Sequence, residues 1–258
     1  MIHSTSKTQK IQENMSQKIN EMMGTVTSLS SIEVTSIANI QEGHWVVINP
    51  FTPDCQIRKV VSINNSNNTL NIAPALFAVP TETVTILVQE NPERNIALFG
   101  ADPQNDAASN TKAIQAAIAD CNLNGGSIVF FPKGVFEVCV TANDKVCFHI
   151  PTNSSLQFMG EGIEQTVLQM AATKEPKETA LFYVTATHCS LQWQHMTLTT
   201  TKGYAIHCEL EYKKKEQHPR SLMMDEVAFV NANNQAIYTD HAIQNLSITN
   251  CIMKGVGN

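Results

Sequence analysis

One spacing recurs three times in the second half of this chain, and few folds accommodate it. Leu191, Trp193, Met196 and Leu198 are apolar at i, i+2, i+5 and i+7. Leu222, Met224, Val227 and Phe229 repeat the pattern, as do Leu246, Ile248, Cys251 and Met253. Each copy follows a small polar residue (Ser190, Ser221, Asn245) and breaks its alternation at a dipeptide: Gln194-His195, Asp225-Glu226, Thr249-Asn250. Alternation means a strand with one buried face, and a two-residue break resets that face at a corner. Leu156 and Phe158 begin a less regular copy, interrupted by Gly160-Glu161-Gly162. A third strand follows in two copies, Ala205-Ile206-His207 and Ala236-Ile237-Tyr238. Three short strands per turn, with turns of 24 to 35 residues from Leu156 through Leu191 and Leu222 to Leu246, predict a parallel β-helix. A propeller blade needs about 40 residues and hairpin signals. A doubly wound fold needs helices that these gaps do not carry.

Ahead of the repeats lies one helical stretch. Ala113, Ile114, Ala117, Ile118 and Cys121 form an apolar stripe, with Ser109 or Asn110 as N-cap and Asn124-Gly125-Gly126 as the stop. Ile128 to Phe131 reads as a buried strand ended by Pro132-Lys133-Gly134. Residues 31–92 differ in character, being rich in Val, Ile and Thr. Strands are expected at Trp45–Ile48, Ile57–Ile63, Thr69–Ile72 and Val84–Val88, with a turn at Asn64–Asn68. This is a small all-β module, for which a barrel is one form, followed by a linker at Asn91–Arg94. At the start, residues 9–23 present Ile11, Met15, Ile19, Met22 and Met23 as a helical stripe, so 1–30 is read as a helical segment. It is either a peripheral helix or an oligomerising stalk, which makes a homotrimer or other homo-oligomer an expected partner state.

An apolar fraction of 43% against 16% charged residues is enough for a packed core. A net charge of −6, with Lys213–Lys215 flanked by Glu211 and Glu216, argues against a nucleic-acid partner. The sequence shows no signal peptide and no membrane span, leaving a virion-associated, unconventionally secreted or cytoplasmic protein. The seven Cys include no C-x-x-C pair, which argues against a zinc site. Cys139 and Cys147 could bridge a hairpin, but buried free thiols are expected.

The motifs Phe99-Gly100-Ala101-Asp102-Pro103, Asn110–Ile118, Gly125-Gly126 and Phe131-Pro132-Lys133-Gly134-Val135-Phe136 resemble the start of the pectate-lyase-like superfamily. Within it they are similar to the right-handed β-helix domain of rhamnogalacturonase-, epimerase- and phage-tailspike-type proteins. Ile150-Pro151, Leu156 to Gly162 and Thr166-Val167-Leu168 continue the match, which covers 93–258. The resemblance implies a mainly β, right-handed parallel β-helix capped by the helix Thr111–Cys121. It also implies a carbohydrate-active protein: a polysaccharide lyase or glycoside hydrolase on an acidic or cell-surface glycan, or a non-catalytic spike component. The loop from Asp102 to Thr111 is about one residue longer than in the family pattern. The catalytic aspartates of the hydrolase branch lie several turns further on, in motifs this chain does not contain. Tyr238-Thr239-Asp240-His241 resembles, over four residues, a pectate-lyase calcium-site motif. The last repeat begins at Leu246, so its third strand falls beyond Asn258 and the β-helix is expected to be incomplete at its C-terminal end.

Stacking the third strands yields a candidate site. Aligning Ala205 with Ala236 sets His207 on Tyr238 and Glu209 on Asp240, with Ile206, Cys208, Ile237 and Thr239 inward and the alternate residues, Ala205 and Ala236 among them, outward. Strands about 4.8 Å apart would bring Glu209 and Asp240 near the roughly 5–5.5 Å separation of a retaining glycosidase pair. Glu209 and Asp240 are therefore the candidate catalytic residues, and His207, Tyr238 and His241 the candidate substrate-binding ones. The same acidic pair could hold calcium, the one cofactor this reading admits. Competing assignments are structural. Asp225-Glu226 is read as a solvated corner, His188 and His195 as surface histidines, Trp193 as core, and Cys189, Cys208 and Cys251 as inert thiols.

Overall fold

The computed structural model describes residues 20–89, 94–126, 128–140, 145–172, 179–185, 188–200, 203–209, 221–232, 235–239 and 243–256. The chain divides into two compact units, Met1–Pro92 and Glu93–Asn258.

The first unit contains a closed antiparallel barrel. Its strands are β1 (Asn20–Ser28), β2 (Ser31–Val34), β3 (Trp45–Ile48), β4 (Gln56–Asn64), β5 (Thr69–Ala73) and β6 (Val84–Gln89), joined in the order β1-β2-β5-β4-β3-β6. The four expected strands are present, and two more close the ring. One of these corrects the expected N-terminal helix. Met22 and Met23 belong to β1, which pairs with β6, while residues 9–19 of that stripe lie outside the described residues. Closure explains the correction: β6 would otherwise present a free edge. Gly24 permits it, because a Cβ there would lie 2.3 Å from the Ile86 side chain. Alternation aims Val26, Ile32, Val46, Val60, Leu70 and Ile86 into one apolar core. Arg94, assigned to a linker by sequence, is instead buried in a short strand of the second unit.

In the second unit, β7 (Arg94–Asn95) leads through a 3-10 turn (Ile96–Phe99) to helix α1 (Ala107–Leu123). The predicted stripe is its buried face: Ala113, Ile114, Ala117, Ile118 and Cys121 have no exposed surface. The N-cap differs from expectation. Asp106 Oδ1 accepts the Ser109 N–H at 2.8 Å, adding a turn ahead of Ser109 and Asn110. Asn110 is instead fully buried, taking the Asp102 N–H on its Oδ1 and donating Nδ2–H to Glu137 O. Gly125 and Gly126, at φ 90° and 84°, end the helix.

The remaining strands are β8 (Ile128–Phe130), β9 (Gly134–Val138), β10 (Val146–His149), β11 (Ser155–Met159), β12 (Thr166–Met170), β13 (Ala180–Val184), β14 (Ser190–Thr199), β15 (Tyr204–Cys208), β16 (Ser221–Val230), β17 (Ile237–Thr239), β18 (Asn245–Thr249) and β19 (Ile252–Lys254). Their pairing is parallel and rung to rung. Leu156, Leu191, Leu222 and Leu246 stack in register, as do Phe158, Trp193, Met224 and Ile248. The corner of each repeat is a single left-handed residue: His195, Glu226 and Asn250 have φ of 53°, 52° and 52°. In the rung with the glycine interruption, Gly160 and Gly162 donate to Gln194 O and His195 O, and the register resumes at Val167 opposite Thr197. Inside, Phe158 stacks on Trp193 (5.3 Å, 19°), and Phe182 approaches both. The strand at Ile128 is half buried, not fully buried: Val129 points in, while Ile128 is 37% exposed. Its two outward positions follow from the same alternation.

Candidate functional site

The third strand of each turn forms its own parallel sheet, in the order β10-β13-β15-β17. Register places His149 opposite Tyr183, Tyr183 opposite His207, and His207 opposite Tyr238. Four aromatic rings thus form a column across four rungs. Their centroids are 5.7, 5.2 and 5.1 Å apart, and each ring meets the next at a steep angle. Such edge-to-face contacts match the positive ring edge to the negative ring face. Tyr204, three residues before His207, packs against it at 5.0 Å and stacks on Tyr238 at 4.9 Å. His207 was expected to point outward into solvent; Tyr183, Tyr204 and Tyr238 cover it, leaving it 9% exposed. Ala205 and Ala236, expected outward, are buried too, because a methyl group does not reach past the larger side chains around it.

Glu209 follows directly on β15. Its N–H donates to Val184 O at 3.2 Å, so the backbone is still held by the rung beneath. Its side chain is exposed, and its Oε2 accepts the Tyr183 hydroxyl at 2.5 Å. The column is also fixed at its first rung. Gln115 of α1 accepts the His149 N–H at 3.0 Å and donates to His149 O at 3.2 Å. The structure therefore brings together His207, Tyr238 and, at one edge, Glu209. Asp240 and His241 lie outside the described residues.

Sequence reading found only two copies of the third strand, so it missed His149, Tyr183 and Tyr204. The signal was present in Phe148 and Phe182, the inward neighbours that pack at 5.3 Å and mark β10 and β13 as copies of the same strand. Unequal spacing along the chain concealed it.

The other candidates behave as structural elements. Asp225 accepts the Thr249 hydroxyl at 2.8 Å and the Asn250 amide at 3.0 Å, and these bonds, Thr249 first, hold its carboxyl below the usual range. Glu226 meets His195 Nδ1 at 2.9 Å on an exposed corner. Trp193 is core. Cys139 and Cys147 are free thiols, as are the other five cysteines. Burial pushes the Cys189 thiol up to about 11 and that of Cys208 up to about 12. No group of three or more His, Cys, Asp or Glu among the described residues could hold a metal ion. Of the acidic pair expected to admit calcium, Glu209 is described, and Asp240 lies outside the described residues.

Residues 93–258 match the family described as rhamnogalacturonase A/epimerase, pectate lyase-like. The chain belongs to this family. No curated protein matches it by sequence. Among solved structures, it is similar to the A-module of the Azotobacter vinelandii mannuronan C-5 epimerase AlgE6, at 18% identity and a TM-score of 0.44, over 63% of this chain and 42% of that one. The corresponding module of AlgE4 matches at 15% identity and a TM-score of 0.43, over 63% and 50%. The Gp54 tailspike of Acinetobacter baumannii bacteriophage AP22, in complex with capsular saccharide, matches at 12% identity and 0.26, over 86% and 46%. The chain thus spans half or less of each of these structures. The family places the second unit among pectate-lyase-like β-helices, in agreement with its parallel, in-register rungs.

Proposed function

We propose that this pectate-lyase-like protein is carbohydrate-active: it lays an extended glycan along the outer face of β10-β13-β15-β17 and cleaves it beside Glu209. The observation that carries this reading is the aromatic column of His149, Tyr183, His207 and Tyr238, with a carboxylate at its edge. Tyr side chains offer an apolar face to sugar C–H groups and a polar tip to hydroxyls. A column that repeats every rung suits a polymer better than a compact ligand. The family description, which joins a rhamnogalacturonase with an epimerase, supports polysaccharide as the partner class. In this reading Glu209 and Asp240 share acid and base duties in a lyase or hydrolase acting on an acidic or cell-surface glycan. His241 is the further substrate-binding candidate in this reading. The winding is right-handed, and helix α1 covers the first rung, a role supported by its fully buried stripe.

A second reading is a non-catalytic glycan-binding spike component. It is favoured by the four-rung aromatic column, which can hold a glycan without any cleaving group. A depolymerisation assay on capsule, O-antigen and pectin panels separates the two. New reducing ends or unsaturated uronates, abolished by Glu209→Gln or Asp240→Asn, are the expected result. Cleavage that survives both changes removes these residues from the mechanism. Binding without product, weakened by Tyr238→Ala, selects the spike reading, and neither binding nor product rejects both.

A further inference from the structure

Glu209 is an exposed side chain with three free torsions, placed one residue beyond the last paired position of β15. A reacting carboxylate needs a fixed position, because small displacements from attack geometry cost large factors in rate. Among the described residues, the group that holds it is the hydroxyl of Tyr183, one rung away. Tyr183 is itself held. Its ring lies between those of His149 and His207, at 5.7 and 5.2 Å, and the His149 backbone is bound on both sides by Gln115 of the helix. The phenol donates and the carboxylate accepts, which ties the position of one to the other.

We infer that Tyr183 is a positioning residue for Glu209: it fixes the carboxylate against the aromatic column. This assignment rests on the carbohydrate-active reading. The ring of Tyr183 belongs to the column, and its hydroxyl serves the chemistry through Glu209.

Tyr183→Phe keeps the ring and removes the bond. Acting through Glu209, it lowers kcat by about 10- to 100-fold while KM stays within about two-fold, the pattern of a loss felt in the transition state. Wild-type kcat in Tyr183→Phe, or a loss that appears in KM instead, overturns the assignment. A second measurement is independent of turnover. With 13Cζ-labelled tyrosine, the Tyr183 resonance, identified by its loss in Tyr183→Phe, shifts when Glu209 becomes Ala. An unmoved resonance in a protein that cleaves glycan overturns the pair and leaves the function standing. A moved resonance in a protein that neither binds nor cleaves any glycan keeps the contact, but rejects the functional reading and the positioning role with it.

Discussion

Gly203 offers the sharpest test of how closely the rungs approach beneath the site. It immediately precedes β15, and its φ is +117°. A Cβ there would lie 2.1 Å from Thr179 O and 2.5 Å from Thr179 Oγ1. The hydroxyl could rotate away, but the carbonyl cannot, because it accepts the Tyr204 N–H at 2.8 Å. Gly203→Ala therefore carries two costs: about 1–3 kcal/mol for an L-residue in that backbone region, and about 1–3 kcal/mol for overpacking against backbone. Together they amount to about 2–6 kcal/mol, a large share of the roughly 5–15 kcal/mol that holds a domain folded. With a urea m-value near 2 kcal/mol/M, the midpoint of the second unit falls by about 1–3 M. Gly125→Ala is the control. Its φ is +90° but nothing lies within 4 Å of the added carbon, so it carries only the backbone cost, about 1–2 kcal/mol. Equal midpoints for the two variants, followed by near-UV circular dichroism, would refute the close approach of Gly203 to Thr179.

Three further outcomes are expected. Trp193 is fully buried and its Nε1 finds no acceptor among the described residues. Trp193→Ala should cost about 3–5 kcal/mol, whereas Trp193→Phe, which removes the unpaired donor, should cost under about 1.5 kcal/mol; equal losses in urea melts would count against this. Burial raises the Cys189 and Cys208 thiols to about 11 and about 12, against an ordinary value of 9.0. The folded state thus keeps protons that the unfolded state releases, so stability is full below pH 9 and falls as pH rises toward 12. A Cys189→Ala/Cys208→Ala variant should lose less midpoint across that range, and a slope identical to wild type would contradict the assignment. The carboxyl of Asp106 is held below the usual range, first by the Ser109 N–H. Its contribution is present above the ordinary carboxylate range and is lost as pH falls through its lowered value. Asp106→Ala should therefore speed hydrogen exchange at the Ser109 amide at neutral pH, and an unchanged rate would show that the cap does not hold the helix end.

Legibility tracked local physics. Leu191, Trp193, Met196 and Leu198 could be read as a folded strand pair because burial on one face imposes a period of two and a corner shifts it. The helix stripe at Ala113 to Cys121 was legible for the matching reason at the helical period. Near the chain start, the Met22 and Met23 stripe fits a helix, yet these residues form a strand, because closing the barrel outweighs local preference. The cap moved to Asp106 because Ser109 and Asn110 are adequate capping residues, and only the burial of Asn110 shows it to be spent elsewhere. At the site, His207 and Tyr238 were legible because their rungs repeat at fixed spacing from Leu191 and Leu222. Tyr183 was not, since its contact with Glu209 depends on a rung whose position in sequence follows no fixed interval. The burial of His207 was also hidden, because it comes from Tyr204 on its own strand and from rings on two other strands.

The corner positions His195, Glu226 and Asn250 differ in charge and size but share one backbone conformation, within a degree or so in φ. Backbone geometry there is inherited from the stack, while of the three side chains Asn250 is also held by Asp225 at 3.0 Å. Left-handed geometry suits Asn or Gly better than His or Glu, and the exposed His195–Glu226 contact repays little of the difference. Two of the three corners therefore retain unused stability. For anyone wishing to toughen this solenoid or graft new surface chemistry onto it, His195 and Glu226 are adjacent sockets whose spacing the fold already supplies.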